Sequence, residues 1–569
     1  MKDGFTLRIR IVYILIFLFG LGILGRLFFL QILHHSDYKE MANRQYFVSP
    51  AQYFDRGSIF FESKDGEIVS AATIKEGCLL AINPTLLKDP KDAYNKISQI
   101  IDLDKDLFFK SADKKGDNYE EVAHKISKEK GEEIMNLNLK GINIYSERWR
   151  YYPGNEMASR LLGFVGYNED KLEGRYGLEK YYDRILSRID GEGSIVNSFA
   201  EIIMDIKKVI TGDSIKGDIV LTIDPEVQSF LEDNLKSIYE KYEAEMAGGI
   251  IIDPQTGKIL AMSIEPGFNP NFYGEEKSLS VFLNPITQSV FEMGSIMKPL
   301  TLAAALDQNK ITPQMTYDDK GYVILNNKKI ENYDGKARGV VAMQEILNQS
   351  LNTGAVYVMQ KLGKEEFKNY VINYGLGEKT GIDLPDEISG LISNLNSDRD
   401  IEFATASFGQ GIAVTPIEMA SALATLANGG VLIKPYIVER IETDEGISKK
   451  TETREKRRVL KEETSEEISR MLSKVFDEAL MGGIYKMDRY SVAAKTGTAQ
   501  VNIEGVRGYE EDQYIHTFFG YAPAFGARFL TFLFLVKPQG VKYASHSLSE
   551  PFVNITKFLL NYYQVPPDR

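Results

Sequence analysis

Ser295 and Lys298 stand three residues apart in "FEMGSIMKPLTLAAAL", residues 291–306. On a helix that spacing puts both side chains on one face, so the ammonium nitrogen can reach the hydroxyl: the geometry of a nucleophile and its base. The spacing alone decides nothing, because "SDYK" from Ser36, "SADK" from Ser111 and "SKEK" from Ser127 share it. What sets Ser295 apart is its surroundings. The other three lie among polar residues, whereas an apolar run of good helix formers, "PLTLAAAL", follows Lys298. The pair therefore points into an interior. Pro299 marks the start of the helix, since a proline deeper inside would remove a hydrogen bond and clash with the preceding turn. Ser295 is thus expected at a helix N-terminus, where free N–H groups and the positive dipole end favour a developing oxyanion.

Such a nucleophile needs a proton route, an oxyanion hole and a substrate anchor. Downstream, "NQSLNTGAV" supplies Ser350 and Asn352, which at i and i+2 project together only from a loop or a helix edge. The serine offers a proton shuttle and the asparagine both a donor and an acceptor. "AAKTGTAQ" supplies Lys495, Thr496, Gly497 and Thr498 on a predicted strand. There Lys495 gives a fixed positive charge, and Gly497 is read as letting substrate approach the backbone. "KTG" also occurs at Lys379-Thr380-Gly381, but between a glycine-rich helix stop and the turn-rich "IDLPDE", which predicts an exposed Lys379.

The elements that must hold these groups follow from periodicity. "GDIVLTIDPEVQSFLEDNL" reads as a strand and then a helix entered at Asp224-Pro225, and "GGIIIDPQTGKILAMSI" as a hairpin. Helices dominate from 295 to about 430. "YSVAAKTGTAQV", "HTFFGYAPA" and "RFLTFLFLVKP" read as three consecutive strands, closed by a helix over "EPFVNITKFLLNYYQ". Strands at both ends and helices between predict one sheet formed by the two ends. "ETDEGISKKTETREKRR" is read as a solvated loop, and "TSEEISRMLSKVF" as a helix capped by Thr464 with Glu467. Further upstream, "DRGSIFFESKDGEIVSAA" reads as a hairpin and "GRYGLEKYYDRIL" as an amphipathic helix, with no catalytic constellation beside them.

Residues 11–33, "IVYILIFLFGLGILGRLFFLQIL", are long enough to cross about 30 Å of hydrocarbon. Lys2, Arg8 and Arg10 before the run predict a cytoplasmic N-terminus with the rest of the chain outside, and no cleavage-type site follows. Arg26, near the outer end, is expected to snorkel to the headgroups. Over 569 residues a net charge of -13 argues against nucleic acid as a partner. One cysteine, Cys78, excludes an intramolecular disulfide and is read as a small core residue. The five histidines form no metal-binding pattern, so no metal or other cofactor is expected; His516 is placed near the site because its strand follows that of Lys495.

The ordered trio of "SIMK", "SLN" and "KTG" is a known pattern of class A β-lactamases and penicillin-binding proteins. With "RLFFLQI", "DRGSIF", "YYPGNEMASRLLGFVG", "GLGEKTGIDLPDE" and "FGQGIAVTPIEMASALATLANGG", the chain resembles the class B penicillin-binding proteins from about residue 8 to residue 560. Met293, Ile296 and Ser159-Arg160 depart from the family's usual residues without removing a reacting group. The resemblance implies a cytoplasmic tail (1–10), a transmembrane helix (11–33), a mixed α+β pedestal of the dimerisation type (34–215) and an α/β transpeptidase domain whose antiparallel sheet packs between helices (216–569). It makes Ser295 the acylated nucleophile, Lys298 its base, and Ser350 and Asn352 the proton-relay and substrate-orienting pair. Lys495, Thr496, Gly497 and Thr498 become the substrate-binding strand, with the N–H groups of Ser295 and Thr498 as oxyanion hole. The implied activity is cross-linking of peptidoglycan stem peptides, with β-lactams as covalent mimics and a membrane-embedded glycan polymerase of the wall-synthesis complex as partner. "SLN" with "KTG" leans to the septal, division-specific branch. The alternatives are an elongation-specific enzyme, a D,D-carboxypeptidase or β-lactamase, and a non-catalytic scaffold.

Overall fold

The two ends of the C-terminal part of the chain do pair. A computed structural model describes residues 17–21, 26, 54–114, 116–168, 171–188, 216–503 and 508–569. In it β1 (Met246–Ile252) and β2 (Ile259–Glu265) join β3 (Ala493–Asn502), β4 (Tyr509–Ala522) and β5 (Phe529–Val536) in the order β3-β4-β5-β1-β2. Every pairing is antiparallel. All eight residues of β5 are buried, so its apolar run is covered on both faces. One cover is α1 (Pro225–Lys241) with the closing helix, Ser549–Tyr562: Leu231 and Leu235 pack with Leu533, Phe518 and Phe552. The other contains α2 (Lys298–Asp307), nine of whose ten residues are buried, as its nearly unbroken apolar sequence requires. β3, which carries Lys495, is left as an edge strand.

By Cα proximity the chain divides into two compact units, residues 56–73 with 150–569, and the remainder. In the larger unit, strand Ile59–Glu62 pairs antiparallel with Ile68–Ala72, which is the expected hairpin, and parallel with Gly217–Leu221. In the smaller unit, Cys78 to Ile82 pair with Glu120–Ile126 over a core of Leu80, Ile97, Phe108 and Ile134. Cys78 is half-buried there, so it is not the core residue expected.

Three expectations need correction. The charged stretch 442–458 is no loop: Val438–Thr443 pairs with Ser448–Lys450 and with Gly217–Leu221, and Glu455–Arg458 pairs with Val431–Ile433. Backbone pairing fixes these strands while their charged side chains remain wet, which leaves no apolar alternation to read. The helix expected to be capped by Thr464 begins at Glu462, and the Thr464 hydroxyl instead donates to Asp307 Oδ1 at 2.8 Å. "GRYGLEKYYDRIL" forms two short helical turns, Gly177–Tyr181 and Asp183–Leu186, broken at Tyr182. Glu179 there is fully buried between Arg56 and Arg150, each 2.6 Å away, so a charge that reads as a solvated face is an internal tie.

Most of the predicted membrane segment 11–33 lies outside the described residues, which include only 17–21 and 26 of it. No helix among the described residues is long and apolar enough to cross a membrane.

Candidate active site

Ser295 lies in a single 3-10 turn, Gly294–Met297, that runs straight into α2 at Lys298. The turn is pinned from two sides. Gly294 N–H donates to Gly409 O at 3.1 Å, and Thr517 of β4 donates its hydroxyl to Met293 O at 2.9 Å. Gly294 has φ +62°, and a Cβ there would come within 2.9 Å of Thr498 O. The serine turn and the edge strand therefore meet backbone to backbone.

Lys298 is fully buried and ringed by oxygens. Its Nζ, with three N–H groups, is within hydrogen-bond distance of four oxygens: Ser295 Oγ at 3.0 Å, Ser350 O at 2.6 Å, Ser350 Oγ at 3.2 Å and Asn352 Oδ1 at 2.8 Å. No described carboxylate forms an ion pair with it. Burial first, and the positive charge of Lys495 second, hold its ammonium well below the usual lysine range. The depressed proton affinity suits a lysine that must be neutral to take a proton from Ser295, and the surrounding oxygens hold the ammonium once it has done so.

Ser350 reaches Lys298 twice because its backbone is left-handed, φ +54°, a conformation that costs a non-glycine residue about 1–2 kcal/mol. It turns both carbonyl and hydroxyl inward just before α3 (Asn352–Leu362) begins. Asn352 is held on its other side by donating Nδ2 to Glu331 O at 2.9 Å. Behind it, Thr353 donates to Asp319 Oδ1 at 2.7 Å, and Asn332 Nδ2 donates to both carboxylate oxygens of Asp319. Sequence reasoning missed Asn332, Asp319 and Thr517. They lie far along the chain from the groups they support and form no local pattern.

Lys495, also buried, donates to Ser350 Oγ at 3.2 Å and to Thr496 O at 2.9 Å. Burial pushes it down to about 8. The structure thus brings Ser295, Lys298, Ser350, Asn352 and Lys495 into one connected cluster. Thr496 and Thr498 alternate with Lys495 on β3, and Thr498 Oγ1 accepts from Ala544 N at 3.2 Å. Gly497 serves a different end from the one expected. A Cβ there would lie 2.3 Å from Thr517 Oγ1 and 2.8 Å from Met293 O, so the glycine admits the serine turn, not a ligand.

His516 does lie near the site, across from Thr498 on β4, but takes no part in the cluster: it is fully buried, with Nδ1 paired to Ser547 Oγ at 2.8 Å and Nε2 to Lys542 O at 3.1 Å. Burial holds it neutral, at about 4. Lys379 is exposed, as expected, and the adjacent Thr380 is bonded to Glu387. Two of the other serine–lysine pairs have structural work: Ser127 caps the helix Lys128–Asn136, and Ser111 and Lys114 both bind Glu120. Ser36 lies outside the described residues. Arg160, at a departing position, is buried and donates to Leu283 O and Pro266 O.

A half-buried serine on a buried lysine, beside a serine–asparagine pair and a lysine-bearing edge strand, is an arrangement for acyl transfer through a serine. The chain matches the family model for the penicillin-binding protein transpeptidase domain over residues 247–557, and that for the penicillin-binding protein dimerisation domain over 55–219. It is 30% identical to stage V sporulation protein D of Bacillus subtilis over 565 residues, covering 96% of this chain and 84% of that protein. It is 28% identical to peptidoglycan D,D-transpeptidase FtsI of Buchnera aphidicola, covering 97% and 94%. Among solved structures, penicillin binding protein 3 of Mycobacterium tuberculosis complexed with aztreonam superposes with a TM-score of 0.68 at 22% identity, over 91% of this chain and 98% of that one, a likeness of fold. The chain belongs to the penicillin-binding protein family, with the dimerisation-plus-transpeptidase organisation of class B.

Proposed function

We propose that the chain is a peptidoglycan D,D-transpeptidase working through a Ser295 acyl-enzyme. Lys298 in its neutral form takes the proton of Ser295, whose oxygen attacks the penultimate D-Ala carbonyl of a stem peptide. Ser350, between the two lysines, relays that proton to the departing D-Ala. An amine from a neighbouring stem then takes the acyl group. Lys495, with Thr496 and Thr498, holds the terminal carboxylate, while the N–H groups of Ser295 and Thr498 face the oxyanion. Gly497 keeps strand and serine turn in register. The free edge of β3 offers backbone groups along which an extended peptide lies. β-Lactams enter as mimics of the terminal dipeptide. The observation that carries the reading is Lys298 Nζ, 3.0 Å from Ser295 Oγ, its proton affinity lowered by burial first and by Lys495 second.

The site's two lysines must differ in charge, and this sets a pH dependence. Lys298 acts deprotonated, so the second-order acylation rate rises with pH as it becomes neutral. Lys495 acts protonated, so the rate falls as pH passes about 8. A bell-shaped profile is expected, with its alkaline limb shifted or lost in Lys495→Arg; a rate still climbing at pH 10 would contradict these roles.

The reading keeps residues 11–33 as a membrane anchor, 34–215 as pedestal and 216–569 as the catalytic domain outside the membrane. The anchor contributes no group to the site. A chain starting at Asp37 is therefore expected to be soluble, to release D-Ala from a stem pentapeptide, and to yield cross-linked product when an acceptor stem is supplied. Hydrolysed tetrapeptide as the sole product would favour the carboxypeptidase alternative. A membrane-embedded glycan polymerase is the partner proposed for the anchor and pedestal, and cross-linkers beside Arg26 are expected to capture it. Recovery of lipid alone would leave Arg26 a snorkelling residue. The septal role implied by "SLN" with "KTG" is kept, and 30% identity to a protein named for sporulation supports wall synthesis during sporulation as the second reading. Depletion followed by microscopy separates the two: filaments for the first, normal division with failed spores for the second.

A further inference from the structure

Glu292, three residues before Ser295, is a buried carboxylate that the acyl-transfer chemistry does not use. Its Oε1 accepts from Gly411 N at 3.0 Å and from Asn502 Nδ2 at 3.2 Å, and its Oε2 accepts from the Tyr509 hydroxyl at 3.2 Å. These donors come from two separate parts of the chain. Gly411 belongs to the loop "FGQGI", which also holds the serine segment by its backbone: Gly409 O accepts from Gly294, and Phe291 and Val414 exchange hydrogen bonds at 2.9 and 3.0 Å. Asn502 and Tyr509 face each other in register at the far end of the β3–β4 hairpin, whose near end carries Lys495 to Thr498.

One side chain therefore ties the far end of the substrate-binding hairpin to the segment that presents the nucleophile. The other described contacts between hairpin and serine turn lie near Lys495 to Thr498, through Thr517 and the close approaches at Gly497 and Thr498, while the far end is otherwise tied to the sheet by Glu510 bonded to Lys537. A far end tied to the sheet but released from the serine segment can shift against that segment. The spacing most exposed to such motion is that between the Ser295 turn and the backbone of Thr498, and misplacement of reacting groups by about 1 Å costs on the order of 10²-fold in rate.

We infer that Glu292 is a positioning residue for acylation: its carboxylate clamps the β3–β4 hairpin and the 409–414 loop to the Ser295 turn, setting the gap in which the oxyanion forms. The inference rests on Ser295 being the acylated residue. The clamp needs hydrogen bonds, not charge. Burial already pushes the Glu292 carboxyl up, against the bonds from Asn502, Gly411 and Tyr509 that favour its ionised form. Glutamine can accept from Gly411 and Asn502 through its oxygen and donate to the tyrosine through its nitrogen, so it preserves all three contacts.

The experiment is stopped-flow acylation by a fluorescent penicillin, separating the initial dissociation constant from the first-order acylation rate. In Glu292→Ala the rate is expected to fall by about 10- to 100-fold while the dissociation constant moves by less than about threefold. Glu292→Gln is expected to restore the rate to within about threefold of native. Asn502 and Tyr509 are exposed, so Asn502→Ala/Tyr509→Phe tests the clamp from the other side without threatening the core, and it should slow acylation by at least about threefold. A native rate in Glu292→Ala or in the double variant would overturn the inference. So would Glu292→Gln as slow as Glu292→Ala, which would make the charge the agent. A native chain that is not acylated at all would remove the underlying reading as well, and is thereby told apart from a native chain that reacts while the variants do not differ.

Discussion

Replacing Ser295 with alanine is expected to reduce covalent labelling by a penicillin to background, with the protein still folded. The rival nucleophile is Ser350, whose hydroxyl lies 3.2 Å from both Lys298 and Lys495. Two features separate them. Ser295 precedes α2 in a turn whose Gly294 backbone abuts Thr498, and in the proposed mechanism the N–H groups of Ser295 and Thr498 flank a carbonyl held at its oxygen. Ser350 sits between the two lysines, its hydroxyl in reach of both Nζ atoms, where it can pass a proton from one group to the next. Ser350→Ala is accordingly expected to slow labelling and leave it on Ser295. Removing the nucleophile itself costs on the order of 10⁴-fold or more, as in other serine enzymes. Labelling of Ser295→Ala at the native rate would end the assignment.

The second large effect is at Lys495, and the chain supplies its own control in the other "KTG". Lys495 is 4% exposed and bonded into the site, whereas Lys379 is exposed to water. A charge in a dry cleft acts on a carboxylate far more strongly than one in solvent. Lys495→Ala is expected to lower the acylation rate by on the order of 10²-fold or more. It also removes the positive charge that depresses Lys298, which would raise Lys298's proton affinity and deepen the loss. Lys379→Ala should change the rate by less than about threefold, the scale of a surface substitution. Rates measured in both folded variants decide it, and a greater loss at Lys379 would redraw the site.

The catalytic cluster was legible because each of its pieces is local. Ser295 with Lys298, Ser350 with Asn352, and Lys495 through Thr498 are short patterns whose spacing carries their geometry, and the apolar runs around them betray burial. The sheet was legible for the same reason: β5 is a continuous apolar strand, and the 246–265 hairpin announces itself by its turn. What could not be read depends on contacts between distant segments. Gly497 is a glycine because Met293 and Thr517 crowd it, and neither residue is its neighbour in sequence. His516 could be placed near the site from its strand, but its bonds to Ser547 and Lys542 could not be read from sequence. The charged run 442–458 hides three strand pairings, since strands that keep their side chains in water owe their place to partners elsewhere. Glu179 hides an internal ion cluster for the opposite reason, because nothing in "GLEKYYD" tells that Arg56 and Arg150 fold over it.

The central claim is that one serine, at the head of α2, carries the acyl group. Mass spectrometry of the native chain after brief exposure to a β-lactam, with proteolytic mapping of the adduct, addresses it directly. The account predicts a single adduct on the peptide containing Ser295. An adduct on the peptide containing Ser350, or on any other serine, would contradict it.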